Sequence, residues 1–123
     1  MQPDRPILVI DDDPAILSTT VAILEFEGYH VAQAQDGAEG LALLERMRPA
    51  LVLLDMRMPV LDGWGFARSL RERGIQLPIV VMTAAQDARR WAAEIGAAGY
   101  LAKPFELPEL IAAVEAQQPL GGH

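Results

Sequence analysis

The feature that most limits what this chain can become is a set of four apolar runs, each closed by a polar residue. Ile7-Leu8-Val9-Ile10 runs into Asp11-Asp12-Asp13, and Leu51-Val52-Leu53-Leu54 runs into Asp55. Ile79-Val80-Val81-Met82 runs into Thr83, and Tyr100-Leu101-Ala102 runs into Lys103-Pro104. A strand with one wet face alternates apolar and polar residues. A continuous run is expected instead where helices cover both faces of a parallel sheet. Segments of helical period separate the runs, which is the signature of repeated βα units. In open parallel sheets ligands bind outside the carboxyl ends of the strands, where strand order reverses. If the runs are parallel strands, carboxylates, a hydroxyl and an ammonium converge on one sheet edge. That edge is a candidate site for phosphoryl transfer.

The punctuation between runs sets the boundaries. After strand one (7–10), Asp13 is a natural N-cap with Pro14 at the first helical position, and Gly28 a natural stop. The helix between them, 14–27, carries Ile16 and Ile23 with Leu17, Val21 and Leu24 on one face. Strand two, 30–34, is the least apolar and is expected at an edge. Asp36 can cap a second helix over 37–47, carrying Leu41 and Leu44, and Pro49 precedes strand three, 51–54. A third helix follows Asp62-Gly63 and ends near Arg73-Gly74. Pro78 leads into strand four, 79–82. A fourth helix spans 86–95 and stops at Gly96. The fifth strand covers 99–102 and the last helix 108–117. Five such units predict an α/β (βα)5 doubly wound, flavodoxin-like parallel sheet of order 2-1-3-4-5 with right-handed crossovers. Residues 1–118 read as one domain of ordinary size, and 119–123 as a tail or the start of a linker.

Charge and composition remove several function classes. A formal net charge of -7 disfavours direct nucleic-acid binding, which relies on Lys and Arg neutralising phosphates. Without cysteine there is neither a disulfide framework nor thiolate chemistry. No apolar stretch approaches the roughly 18 residues of a membrane span, and the polar start lacks the pattern of a signal peptide. A cytoplasmic location is expected. The ten basic residues are nine Arg and a single Lys, and that Lys is Lys103, at the end of an apolar run.

In the 2-1-3-4-5 order, strands one and three are neighbours, so Asp11 and Asp12 face Asp55. Carboxylates packed together repel one another unless a cation or protons offset the charge. Mg2+ suits such a set, since it takes one or two protein carboxylates, keeps waters and shares a phosphate oxygen. Each residue also has a plainer reading: Asp13 as a helix cap, Asp11 and Asp12 as turn residues, Thr83 as a turn start, Lys103 as a solvated loop lysine. Convergence favours the functional reading. Asp55 could then act as a nucleophile, Thr83 could hydrogen-bond a phosphate oxygen, and Lys103 could offset the charge of the transferring group. A rigid turn at Pro104, cis or trans, would hold that ammonium inward. His30 and His123 sit beside no ligand cluster, and neither a P-loop nor a dinucleotide fingerprint is present.

Together these pieces resemble the receiver domain of bacterial two-component response regulators over about residues 6–117. The resemblance is carried by Ile7-Leu8-Val9-Ile10-Asp11-Asp12-Asp13, by Leu53-Leu54-Asp55-Met56-Arg57-Met58-Pro59-Val60-Leu61-Asp62-Gly63, by Val81-Met82-Thr83-Ala84 and by Gly99-Tyr100-Leu101-Ala102-Lys103-Pro104-Phe105. It implies Asp55 as phosphoacceptor. Mg2+, or Mn2+ in its place, would be held by Asp12 directly, Asp11 chiefly through water, Asp55, and the backbone carbonyl of Arg57. Thr83, the Ala84 backbone N–H and Lys103 would contact the phosphoryl group, with Thr83 and Tyr100 as the switch pair. It further implies phosphoryl transfer from a sensor histidine kinase or phosphotransfer protein, an effector whose identity is open, and remodelling of the helix four–strand five–helix five face. The chain would be a monomer or a phosphorylation-linked dimer, and a switch rather than an enzyme turning over a foreign substrate. Arg57 and Ala85 fall where the family tunes phosphoryl lifetime.

Two competing readings frame this one. A haloacid-dehalogenase-like phosphatase usually carries a second Asp two residues after its nucleophile, where this chain has Arg57. A receiver-like module working without phosphorylation has no need of the intact acidic pair, Thr83 and Lys103. Trp91, beside Arg89 and Arg90 on helix four, fits either packing or a contact with the output partner. The chain reads as a stand-alone receiver or as part of a longer regulator or hybrid kinase.

Overall fold

The computed structural model describes residues 5–117. Five strands and five helices alternate: β1 (Ile7–Ile10), α1 (Pro14–Phe26), β2 (Val31–Ala34), α2 (Gly37–Leu44), β3 (Leu51–Asp55), α3 (Gly63–Glu72), β4 (Ile79–Ala84), α4 (Ala85–Ile95), β5 (Gly99–Lys103) and α5 (Leu107–Glu115). The strands form one sheet in the order β2-β1-β3-β4-β5, and every neighbouring pair is parallel. The doubly wound order expected from the sequence is therefore the order observed, with the least apolar strand, β2, at an edge. Residues 119–123, read above as a tail, lie outside the described residues.

Side-chain alternation explains the continuous apolar runs. Ile7 and Val9 of β1, Leu51 and Leu53 of β3, and Val80 and Met82 of β4 pack with Leu17, Val21 and Leu24 of α1 and Leu110 and Val114 of α5. The intervening Leu8, Ile10, Val52, Leu54, Ile79 and Val81 pack with α2, α3 and α4, through Leu41, Leu44, Phe66, Leu70, Trp91 and Ile95. Both faces are thus dry, so neither parity can be polar. Burying a Leu or Ile in this way stabilises the fold by about 1.5–3 kcal/mol each.

The element ends depart from the sequence reading in ways that have local causes. β4 continues two residues further, to Ala84, because β5 supplies partners there: Thr83 pairs with Ala102 and Ala84 with Lys103. α2 stops at Leu44 rather than 47, and its last turn tightens through Arg46 N–H to Leu43 C=O (3.0 Å) ahead of Pro49. On α1 the inward face is Leu17, Thr20, Val21 and Leu24, while Ile16 and Ile23 are only half-buried flanks. α1 ends as expected, with Gly28 at φ 98, a conformation that only glycine adopts freely. Gly63 is required for a different reason. A Cβ there would sit 2.8 Å from Met56 Cα, so any side chain would push α3 off the end of β3.

Candidate functional site

The strand ends deliver the polar residues to one edge. β1 ends at Ile10, which is in register with Leu54 of β3, so Asp11 and Asp55 emerge side by side. Asp11 is fully buried and Asp55 nearly so, while Asp12 is exposed. One oxygen from each of Asp11, Asp12 and Asp55 lies within 4.8 Å of the others, close enough to share one cation. Asp13 is turned away from this group: its Oδ1 accepts from Ala15 N–H (2.9 Å) and Ile16 N–H (3.2 Å) and so caps α1.

Lys103 reaches back across the edge from β5. Its Nζ donates to Asp11 Oδ2 at 2.8 Å and stands 3.7 Å from Asp55 Oδ1. The Lys103–Pro104 peptide is cis. The other Asp11 oxygen, Oδ1, accepts the Asp13 N–H at 2.9 Å. Asp11 is therefore held on two sides, whereas Asp55 has only longer contacts, at 3.5 Å from the Arg57 N–H and 3.7 Å from Lys103 Nζ. That imbalance appears in the acidity of Asp55, whose carboxyl is pushed up to about 7, first by burial. Lys103 pulls the other way, and Asp11 and Asp12 add to the rise. The cluster thus carries more negative charge than its protein partners offset.

Thr83 is buried at the end of β4, one position beyond the residue paired with Asp55, and α4 begins two residues later. Its neighbour Ala84 has an extended backbone and no side-chain cap hydrogen bond, so the first N–H groups of α4 open towards the site edge. Tyr100, in register with Val81, is 45% exposed and points outward. The exposed Arg89 guanidinium lies near its hydroxyl, and Tyr100 raises the pKa of Arg89. Beside Lys103 an apolar cavity of about 500 Å3 is lined by Ala15, Ile16, Thr20, Ala84, Pro104 and Phe105.

Every residue singled out in the sequence for the acidic site lies at this edge. Trp91 does not present an open face. It is only 9% exposed and meets Trp64 edge-on, with ring centres 4.9 Å apart, while Arg89 and Arg90 remain exposed. Sequence reasoning missed Trp64, because nothing in the order of residues says that α3 will bring it against α4. It also missed Val60, whose φ of 69 and the Leu61 N–H to Pro59 C=O bond (2.7 Å) form a strained γ-turn between β3 and α3. Met-Pro-Val was the available signal for a turn, but not for its handedness.

Comparison with known proteins agrees with this geometry. A family model described as "Response regulator receiver domain" matches residues 7–115. Response regulator MprA of Mycobacterium sp. (strain KMS) is 46% identical over 112 residues, covering 89% of this chain and 49% of the relative. MprA of Mycobacterium leprae (strain TN) is 44% identical with the same coverage. The chain thus spans about half the length of the curated relatives it matches. Among solved structures, chemotaxis response regulator CheY4 of Vibrio cholerae superposes with a TM-score of 0.84 at 28% identity, over 93% of this chain and 98% of that one. The receiver domain of NtrX from Brucella abortus gives 0.83 at 30% identity, over 90% and 96%. From the family match, the sheet order and the strand-end cluster together, this chain belongs to the response regulator receiver domain family of two-component signalling.

Proposed function

We propose that this domain accepts a phosphoryl group on Asp55 and uses it as a reversible switch, without turnover on a foreign substrate. The observation that carries the reading is the asymmetry at the site: Asp11 is tied by Lys103 and the Asp13 N–H, while Asp55 is buried, adjacent and scarcely paired. A nucleophile needs a lone pair not already committed to a protein donor, and the long contacts of Asp55 leave it one. Asp11, Asp12, Asp55 and the Arg57 carbonyl would hold Mg2+, with Mn2+ as a substitute; the hard, all-oxygen donor set suits either. Bound there, the dication would neutralise charge on the transferring group.

The chain's own residues do the rest. An Asp55 oxygen attacks the phosphorus of a kinase phosphohistidine or a small phosphodonor, and the P–N or P–O bond to the donor breaks. Lys103, already 3.7 Å from Asp55 Oδ1, offsets charge on the product oxygens. Thr83 and the Ala84 N–H supply donors from the far side. Three new acceptor oxygens beside Asp55 would reward inward movement of Thr83, and Tyr100, exposed on the neighbouring strand, is the ring free to follow it. The remodelled surface is the α4–β5–α5 face. A sensor histidine kinase or phosphotransfer protein is the donor, and its imidazole must approach over the edge where the apolar cavity beside Lys103 opens. The effector would be a further domain or a separate partner. No helix among the described residues is long and apolar enough to cross a membrane.

Incubation with Mg2+ and acetyl phosphate, followed by intact mass measurement, tests the reading. One phosphoryl adduct is expected in the wild type, and none in Asp55→Asn or when Mg2+ is chelated. No adduct, together with no change in Trp fluorescence on adding beryllofluoride, would leave a module that works without phosphorylation.

A further inference from the structure

Two cationic residues border the acidic site, and the side chain of only one is paired there. Lys103 sits on Asp11 and Asp55. Arg57 follows Asp55 by two residues and its N–H lies 3.5 Å from Asp55 Oδ1, yet its guanidinium pairs with no carboxylate among the described residues. It lies instead 6.0 Å from the centre of the Trp91 ring. Charge alone would send it the other way, towards three carboxylates whose oxygens lie within 4.8 Å of one another. A cation over an aromatic face is attracted by the ring quadrupole, and Trp provides the strongest such face.

The ring is itself fixed. Trp91 is 9% exposed and packs edge-on against Trp64 at 4.9 Å. The Trp64 indole N–H donates to Glu94 at 2.9 Å, which ties α3 to α4. A second guanidinium, that of Arg90, lies 5.9 Å from the same ring and is anchored to Asp87 at 2.6 Å. Glu94, Trp64, Trp91 and Arg57 therefore form a continuous chain from α4, through α3, to the loop that leaves Asp55.

The geometry points to Trp91 as a positioning residue that parks Arg57 away from the acidic cluster and so keeps the Asp11, Asp12 and Asp55 oxygens open to a divalent cation. This rests on reading that cluster as the cation site, as proposed above. Released from the ring, Arg57 would pair with the carboxylates and compete with the cation for them. The competition should weaken Mg2+ binding by about fivefold, the upper end of what one partly exposed ion pair supplies.

The test is calorimetry of Mg2+ binding to the wild type, Trp91→Leu, Arg57→Ala and the double variant. Side-chain NMR of the Arg57 Nε–Hε group is recorded alongside. Trp91→Leu should weaken Mg2+ binding by about fivefold, and should change nothing when Arg57 is already Ala. The Arg57 Nε–H resonance should be displaced upfield by the indole ring current in the wild type. Equal weakening in both backgrounds, or none in either, would overturn the assignment while leaving the cation site intact. An undisplaced Arg57 resonance in the wild type would overturn it without any variant having to fold. Wild-type protein that bound no Mg2+ would remove the cation-site reading, and this assignment with it.

Discussion

The helices that start at the site edge do so in two ways. α1, α2 and α3 each begin on an aspartate whose side chain accepts a backbone N–H of the first turn: Asp13 from Ala15, Asp36 from Glu39 and Asp62 from Gly65, each at 2.9 Å. α4 begins on Ala84, which can accept nothing through its side chain. The capped helices have committed their orphan donors locally, and their starts are fixed by the chain's own bonds. α4 has not. Its free N–H groups and the positive end of its dipole stand next to Thr83, where a phosphoryl oxygen on Asp55 would arrive. The start of α5 is closed differently, by the Glu109 carboxylate that accepts the Glu106 N–H at 2.8 Å. The contrast is between α1, α2 and α3, which hold the site, and α4, which in the proposed switch is left able to answer it.

Breaking this contrast should give effects in a definite order. The largest comes from the site's own charge. The Asp55 carboxyl is raised to about 7, so the folded protein binds its proton more tightly than the unfolded chain does. Stability of the metal-free protein should therefore fall as pH rises from about 4 to 7, and then level off. Asp55→Asn removes this term and should stabilise the metal-free protein by about 3 kcal/mol at pH 8, with almost no effect at pH 4. Urea unfolding of both proteins across that range reads it directly; parallel curves would refute the charge argument.

Next come the caps. Asp13→Ala, Asp36→Ala and Asp62→Ala should each lower stability by about 1 kcal/mol in the same assay. If all three were neutral, the caps would not distinguish these helices from α4. Ala84→Ser sharpens the contrast from the other side. A hydroxyl at the uncapped start should add about 0.5–1 kcal/mol and reduce the Trp fluorescence change on adding beryllofluoride. A stabilised variant with an undiminished response would show that the open helix start plays no part in switching. The smallest effect belongs to Val60, 82% exposed at φ 69 in the turn that leads to the Asp62 cap. Val60→Gly relieves about 1–2 kcal/mol of left-handed strain but adds unfolded-state entropy, leaving a net gain of about 0.5 kcal/mol. Its urea midpoint should rise slightly, and a fall would mean that the turn is not strained.

The parts of the fold that were legible in the sequence are those encoded by local rules. Continuous runs such as Leu51–Leu54 demand burial on both faces, and Asp13-Pro14 and Asp62-Gly63 mark helix starts through their own side chains. The acidic site was legible because a parallel sheet sends every strand end to one edge, so the residue following each run becomes a site residue. Boundaries that depend on a partner were not legible. β4 runs on to Ala84 only because β5 pairs with it, and Thr20, a poor candidate by hydropathy, is buried because α1 rolls that face onto the sheet.

The sequence by itself determined the βα alternation, the sheet order and which side chains gather at the carboxyl edge, since periodicity, caps and strand-end chemistry are properties of neighbouring residues. Only the tertiary structure decided how those side chains divide their work. That Lys103 binds Asp11 more closely than Asp55, that Trp91 meets Trp64 and draws Arg57 aside, and that Tyr100 stands outward beside Arg89 depend on distances between elements far apart in the chain. Such distances are set by how whole helices pack on the sheet, and no local pattern of residues carries them.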